Sequence, residues 1–155
     1  IHAAGNESKN RDEDPSFPSR DLLTGKSVSN WIEVGANSAF AGKTLIGDFS
    51  NYGKTTVDFF APGVDVYSTI PDNKYISESG TSMAAPSTSG VASIIRSYFP
   101  QLTSQQVREV LMKTVVSYKK AVKIPGSKTG KSKLTALCIS GGMVNAAKAI
   151  KELQK

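Results

Sequence analysis

The chain holds one cysteine, one histidine and one tryptophan, at Cys138, His2 and Trp31. A lone cysteine excludes any disulfide within the chain but leaves the redox compartment open, because exported proteins without bridges are common. Cys138 is expected to be a small buried hydrophobe. Apolar runs are short; none approaches the roughly 20 residues that span a bilayer, so no transmembrane helix is expected. The chain also lacks an initiating methionine and the basic-then-apolar opening of a secretory signal. It opens with Ile1-His2-Ala3-Ala4, which reads as a buried strand, so it is expected to begin inside a larger fold.

Acidic residues are missing where basic ones gather. From Lys113 to Lys133 there are seven lysines and no carboxylate, whereas Glu7 to Asp21 is net acidic, within an overall charge of +6. Lysines in a Gly/Ser/Thr-rich stretch of this kind read as a solvated loop, and no nucleic-acid partner is expected.

What is present is enough for a core. With 155 residues, 39% of them hydrophobic, the expectation is one domain. Ile1–Ala4 ends at Gly5-Asn6, a pair suited to a tight turn. Residues 7–30 carry Asp12-Glu13-Asp14-Pro15, two prolines and several serines with little periodicity, and read as a long surface excursion. Their carboxylates could take Ca²⁺, but the spacing fits no specific loop motif, which favours a solvated turn. Strands are predicted at 31–36, 44–49 and 56–60, the last broken by Ala61-Pro62-Gly63. Residues 64–70 and 74–77 flank Pro71-Asp72-Asn73 and predict a hairpin that runs into Gly80.

From Ser82 to Phe99 the chain is rich in Ala, Ser, Gly and Ile with no charge before Arg96, which predicts a helix surrounded by protein. Pro86 fits such a helix only near its start, which places the first turn close to Thr81 or Ser82. Thr103-Ser104-Gln105-Gln106 is a capping box, and Val107, Val110, Leu111 and Val115 give the apolar stripe of a surface helix. A strand at 134–139 and a closing helix carrying Met143, Ala147, Ile150 and Leu153 complete the pattern, with Gly141-Gly142 between them.

The stretch Gly80-Thr81-Ser82-Met83-Ala84-Ala85-Pro86 admits two readings. Thr81 or Ser82 caps the helix, as Ser and Thr often do. Alternatively Ser82 is a nucleophile on the first turn, where unpaired N–H groups and the positive dipole end favour a developing oxyanion.

Ala3-Ala4-Gly5-Asn6, Phe49-Ser50-Asn51-Tyr52-Gly53, Ala61-Pro62-Gly63, the Ser82 stretch and Gly142-Met143-Val144-Asn145-Ala146-Ala147 together resemble the subtilisin-like serine peptidases, in the same order along the chain. The resemblance implies an α/β, three-layer subtilisin-like fold with a mainly parallel sheet, truncated on its N-terminal side, residues 1–155 being the C-terminal portion of one peptidase domain. It implies Ser82 as the nucleophile and Asn6 as a side-chain oxyanion donor beside the Ser82 N–H. Ala3, Ala4 and Gly5 would wall the pocket for the side chain preceding the cut, with Gly80 and Thr81 as its floor. No cofactor is implied as necessary; structural calcium is left open. The implied partners are a peptide substrate, the N-terminal half of the same domain and, through an exposed sheet edge, a second copy. The implied location is extracytoplasmic.

The departures concern the base. A serine hydroxyl needs an imidazole oriented by a carboxylate, and the family supplies them on Asp-[Ser/Thr]-Gly and His-Gly-Thr segments that are absent here. His2 reads as an ordinary strand residue, and Asp58 and Asp65 match no triad carboxylate. Pro86-Ser87 stands where the family usually has Pro-His, which concerns packing. The chain alone is therefore expected to be inactive, as a fragment of a serine endopeptidase or as a catalytically dead module that serves binding or assembly.

Overall fold

The computed structural model describes residues 1–42 and 44–155. In chain order its elements are β1 (His2–Ala3), β2 (Glu33–Asn37), β3 (Phe59–Pro62), β4 (Val66–Ile70), β5 (Lys74–Glu78), α1 (Thr81–Tyr98), α2 (Ser104–Lys113), β6 (Val116–Ser117), β7 (Val122–Lys123), β8 (Lys131–Ser132), a 3₁₀ turn (Leu134–Ala136), β9 (Gly142–Met143) and α3 (Ala146–Leu153). The main sheet runs β1-β2-β3-β9-β6. Its first three pairings are parallel and only β6 is antiparallel, so the fold is α/β with a mainly parallel sheet.

A strand sends successive side chains to opposite faces. Ile32, Val34, Ala36, Phe59 and Ala61 accordingly join Ala84 and Ile95 of α1, Val107 and Leu111 of α2 and Ala149 of α3 in one core. Phe60, one residue on from Phe59, points to the other face and packs with Ala4, Leu45, Ile46, Val57, Val122, Leu134 and Leu137. The helices lie on the first face; chain segments around residues 45–57 and 118–141 cover the second.

Several expectations shift. Residues 44–49 form no strand; only an isolated bridge from Ile46 to Asn37 survives, because Gly47 N–H donates to the Ala36 carbonyl and the chain then turns, Ser50 N–H donating back to the Gly47 carbonyl. The strand expected at 56–60 lies at Phe59–Pro62, since proline is tolerated at a strand end where no N–H is needed. The strand expected at 134–139 is absent, Leu134–Ala136 forming the 3₁₀ turn instead, and Met143, expected in the last helix, lies with Gly142 in the strand that pairs β3 with β6. Among the lysines, β7 and β8 pair as a short hairpin whose Val122 is fully buried.

α1 starts at Thr81 as predicted, but Pro86 is its sixth residue and leaves the Ser82 carbonyl without an intrahelical donor. The helix is also wetter than its composition suggested. Pro86, Ser89, Gly90, Ser93, Ile94, Ser97 and Tyr98 are exposed, whereas Thr81, Ala84, Thr88 and Ile95 are buried. The capping box of α2 forms as read: Thr103 Oγ1 accepts from Gln106 N–H and Gln106 Oε1 from Thr103 N–H.

Cys138 is buried, and burial pushes its thiol up to about 11. Native protein at pH 8 is expected to resist iodoacetamide and to take up one equivalent in denaturant; rapid native labelling, read by mass spectrometry, would contradict this packing.

Candidate active site

The turn that leaves β1 meets the N-terminus of α1. Gly5 holds φ +98°, a conformation that a side chain would strain, and this directs Asn6 at the helix. Asn6 Oδ1 accepts from Thr81 N–H at 2.9 Å and from Thr81 Oγ1 at 3.0 Å, while Thr81 Oγ1 accepts from Gly5 N–H at 3.1 Å. Asn6 thus supplies from a distant turn the cap that the helix lacks locally: its N-cap residue is Gly80, with no side-chain capping bond. The reading of Thr81 or Ser82 as a simple cap is overturned, because both lie inside the helix and Thr81 donates its own N–H.

With Oδ1 committed to Thr81, the Asn6 amide turns toward Gly80 and Ser82. A methyl group in the Cβ position of Gly80 would stand 3.5 Å from Asn6 Nδ2 and 3.6 Å from Ser82 N. Glycine leaves that space empty, and two N–H donors flank it. The Ser82 N–H belongs to the first helical turn and has no acceptor within the helix; the dipole of α1 adds positive potential at the same place. Ser82 is exposed, whereas Thr81 is 1% exposed. An oxyanion formed by attack of Ser82 would find donors already oriented there.

Gly63 permits the approach of the hairpin. A Cβ at Gly63 would lie 2.7 Å from the Gly80 carbonyl, and Gly80 N–H donates to the Gly63 carbonyl at 2.8 Å. β4 and β5 therefore return the chain to the end of β3, where Gly80 is buried. Ser87 donates to the Met83 carbonyl at 2.9 Å and to the Pro62 carbonyl at 3.2 Å, so the serine after Pro86 closes its own contacts.

Gly5, Asn6, Gly80, Thr81 and Ser82 therefore converge. Ala3 is half-buried and pairs with Val34. Ala4 adjoins the turn through its backbone, and its methyl faces the core with Val57 and Phe60. His2 lies elsewhere: its Nδ1 is 3.0 Å from Glu33 Oε1, its ring packs 5.1 Å from Trp31, and Trp31 Nε1 donates to Glu33 Oε2 at 2.7 Å. Because Ile32 and Val34 face the helices, Glu33 and the histidine paired with it lie on the opposite sheet face from α1. Asp65 sits at the foot of the hairpin, its N–H bonded to Ser79 Oγ. Asp12, despite burial that opposes ionisation, is held below the usual carboxylate range by Thr55 and Thr56, whose hydroxyls both donate to it.

The chain matches the sequence profile of the subtilase family (Peptidase S8) over residues 1–140. It belongs to the subtilase family. This subtilase chain is 36% identical over 129 residues to subtilisin-like protease 2 of Plasmodium falciparum, covering 77% of itself and 9% of that protein. It is 46% identical over 69 residues to subtilisin DY of Bacillus licheniformis, covering 44% of itself and 25% of the relative. Among solved structures it is similar to a cold adapted subtilisin-like serine proteinase, with TM-score 0.63 and 30% identity over 83% of this chain and 41% of that one. It is also similar to the prenylagaramide maturation protease PagA, with TM-score 0.66 and 27% identity over 97% of this chain and 48% of that one. The chain thus spans less than half the length of these relatives.

Two features of this subtilase escaped the sequence reading. Asn51, fully buried, bonds to the segment on both sides of Asn6. Asp58, also fully buried, joins Arg20 at 2.6 Å and Arg108 at 2.5 Å and accepts Glu33 N–H at 2.7 Å. Asn51 stood inside one of the family-like stretches, which was its only signal. The arginines lie on a loop and a helix far apart in sequence, and nothing local marks them as partners of one carboxylate.

Proposed function

We propose that this chain is the nucleophile-bearing half of a subtilisin-like serine endopeptidase domain. The observation that carries the reading is the space beside Gly80, flanked by Asn6 Nδ2 and Ser82 N–H and adjoining the exposed Ser82. In this reading Ser82 Oγ attacks the scissile carbonyl, its proton passes to an imidazole, and the tetrahedral oxyanion takes hydrogen bonds from both donors. As the intermediate collapses, the imidazolium gives that proton to the leaving nitrogen, the amine departs, and an acyl-enzyme remains on Ser82, which water then hydrolyses. Ala3, Ala4, Gly5, Gly80 and Thr81 border the pocket for the residue preceding the cut.

The imidazole and the carboxylate that orients it belong, in this proposal, to the remainder of the domain. His2 is tied to Glu33 across the sheet from Ser82 and is not the base. The chain by itself does not hydrolyse peptides. The remainder of the domain docks on the open edge of β1 and the exposed flank of α1, and a second copy associates there when that half is missing. No helix among the described residues is long and apolar enough to cross a membrane; export to an extracytoplasmic compartment belongs to the proposal on family resemblance alone.

Replacement of Asn6 by alanine tests the oxyanion role. In the full-length protein kcat for peptide p-nitroanilides is expected to fall by about 10²–10³, the scale known for the equivalent donor in subtilisin itself, with KM little changed. A loss below roughly threefold would remove Asn6 from the mechanism. The second reading, a catalytically dead module, is favoured by the position of His2; it predicts that folded full-length protein is not phosphonylated at Ser82.

A further inference from the structure

We infer that Asn51 is a positioning residue for the oxyanion site, acting through the turn that carries Asn6; the inference rests on the proposed role of Asn6. The Asn51 side chain is fully buried and all its polar capacity is used on that turn. Its Oδ1 accepts from Glu7 N–H at 3.1 Å and from Lys9 N–H at 2.8 Å. Its Nδ2 donates to the Ala4 carbonyl at 2.7 Å and to Glu7 Oε2 at 2.5 Å, and its own N–H donates to the Gly5 carbonyl at 2.9 Å. Residues 4, 5, 7 and 9 are thus all fixed to Asn51, by its side chain or its backbone N–H, while the Asn6 side chain between them bonds toward α1.

This arrangement separates two tasks. Thr81 sets the rotation of the Asn6 amide, and Asn51 sets the position of the backbone from which that amide projects. Gly5, at φ +98°, would let the turn relax once its carbonyl and its neighbours were released. A donor displaced by about 1 Å loses most of its value to a developing oxyanion, which can cost on the order of 100-fold. Glu7 reinforces the clamp: the hydrogen bond from Asn51 and the nearby Arg11 guanidinium, 3.0 Å away, hold its carboxyl below the usual range. Ionised Glu7 therefore accepts from Asn51 throughout the neutral range.

The test uses the full-length protein and the rate at which a fluorophosphonate labels Ser82, a reaction that places a phosphoryl oxygen in the same donor space. Asn51→Ala is expected to slow labelling roughly 10- to 100-fold, with unfolding still cooperative. In an Asn6→Ala background the same replacement is expected to add less than about threefold, because the donor it positions is gone. Equal losses in both backgrounds would show general damage and overturn the inference, as would a loss below about twofold with Asn6 intact. If Asn6→Ala alone leaves labelling unchanged, the reading of Asn6 falls and this inference with it, so the two failures are distinguishable.

Asn51→Asp covers the case in which the alanine variant does not fold. It keeps the acceptor for Glu7 and Lys9 N–H but sets a carboxylate against that of Glu7, which is paired with Arg11. Its labelling rate relative to the unmodified protein should rise as pH falls and the two carboxyls come to share a proton. A ratio independent of pH would overturn the inference.

Discussion

Ser82→Ala is expected to abolish peptide hydrolysis by the full-length protein while leaving its melting temperature in place. The loss in kcat should be about 10⁶-fold, the scale measured for the nucleophile of subtilisin itself. Stability should change little, because the side chain is exposed and the helix is capped by Asn6 instead. A fluorophosphonate should label the unmodified protein at Ser82 and leave the alanine variant unlabelled. Folded, unmodified protein that stays unlabelled would instead support the non-catalytic module. The two results bear on different links: labelling reports whether a base reaches Ser82, and the Asn6 variant reports whether the oxyanion space is used.

The largest stability effect is expected at Asp58. Its carboxylate ties three parts of the chain together: Arg20 on the long excursion, the start of β2 through Glu33 N–H, and Arg108 on α2. The side chain is fully buried and the arginine side chains are about one-fifth exposed. Asp58→Asn would leave two guanidinium groups facing a neutral amide. Breaking a buried pair in this way costs about 3–5 kcal/mol, which for a domain of this size corresponds to roughly 6–20 °C in melting temperature. The Nε atoms of Arg20 and Arg108 already lack partners among the described residues, and the other acceptor Arg20 reaches is the Thr56 carbonyl at 3.4 Å, an uncharged group. Replacing all three groups together by apolar residues should recover much of the loss, since the pair itself is costly to desolvate. Differential scanning calorimetry decides the matter: a shift under about 2 °C for Asp58→Asn would show that the carboxylate does not hold the excursion in place.

The sequence made the local parts legible. The Thr103–Gln106 capping box, the β4–β5 hairpin and the start of α1 follow from short-range chemistry, and the structure places them where that chemistry puts them. Segments whose state depends on distant partners were harder to read. Residues 134–139 alternate well enough for a strand, yet Leu134, Leu137 and Cys138 all turn inward because the 3₁₀ coil buries them together. The exposed flank of α1 was also misread, because small residues fit a helix packed on all sides as well as one with an open face. At the candidate site, the proximity of Asn6 to the start of α1 was suggested by words in a familiar order. The coupling of the two through Thr81 was not, since it depends on a hydroxyl that donates to one turn and accepts from the same turn.

The bond from Thr81 to Asn6 spans 75 residues of sequence, and the intervening chain includes β2 and β3, which pair in parallel. Contacts this remote form slowly, because the entropy of closing the intervening loop must be overcome before they stabilise anything. The donor space beside Gly80 therefore cannot exist in a nascent or half-folded chain, however early α1 coils. Under the proposed role of Ser82, its reactivity would arise only once this long-range contact has formed.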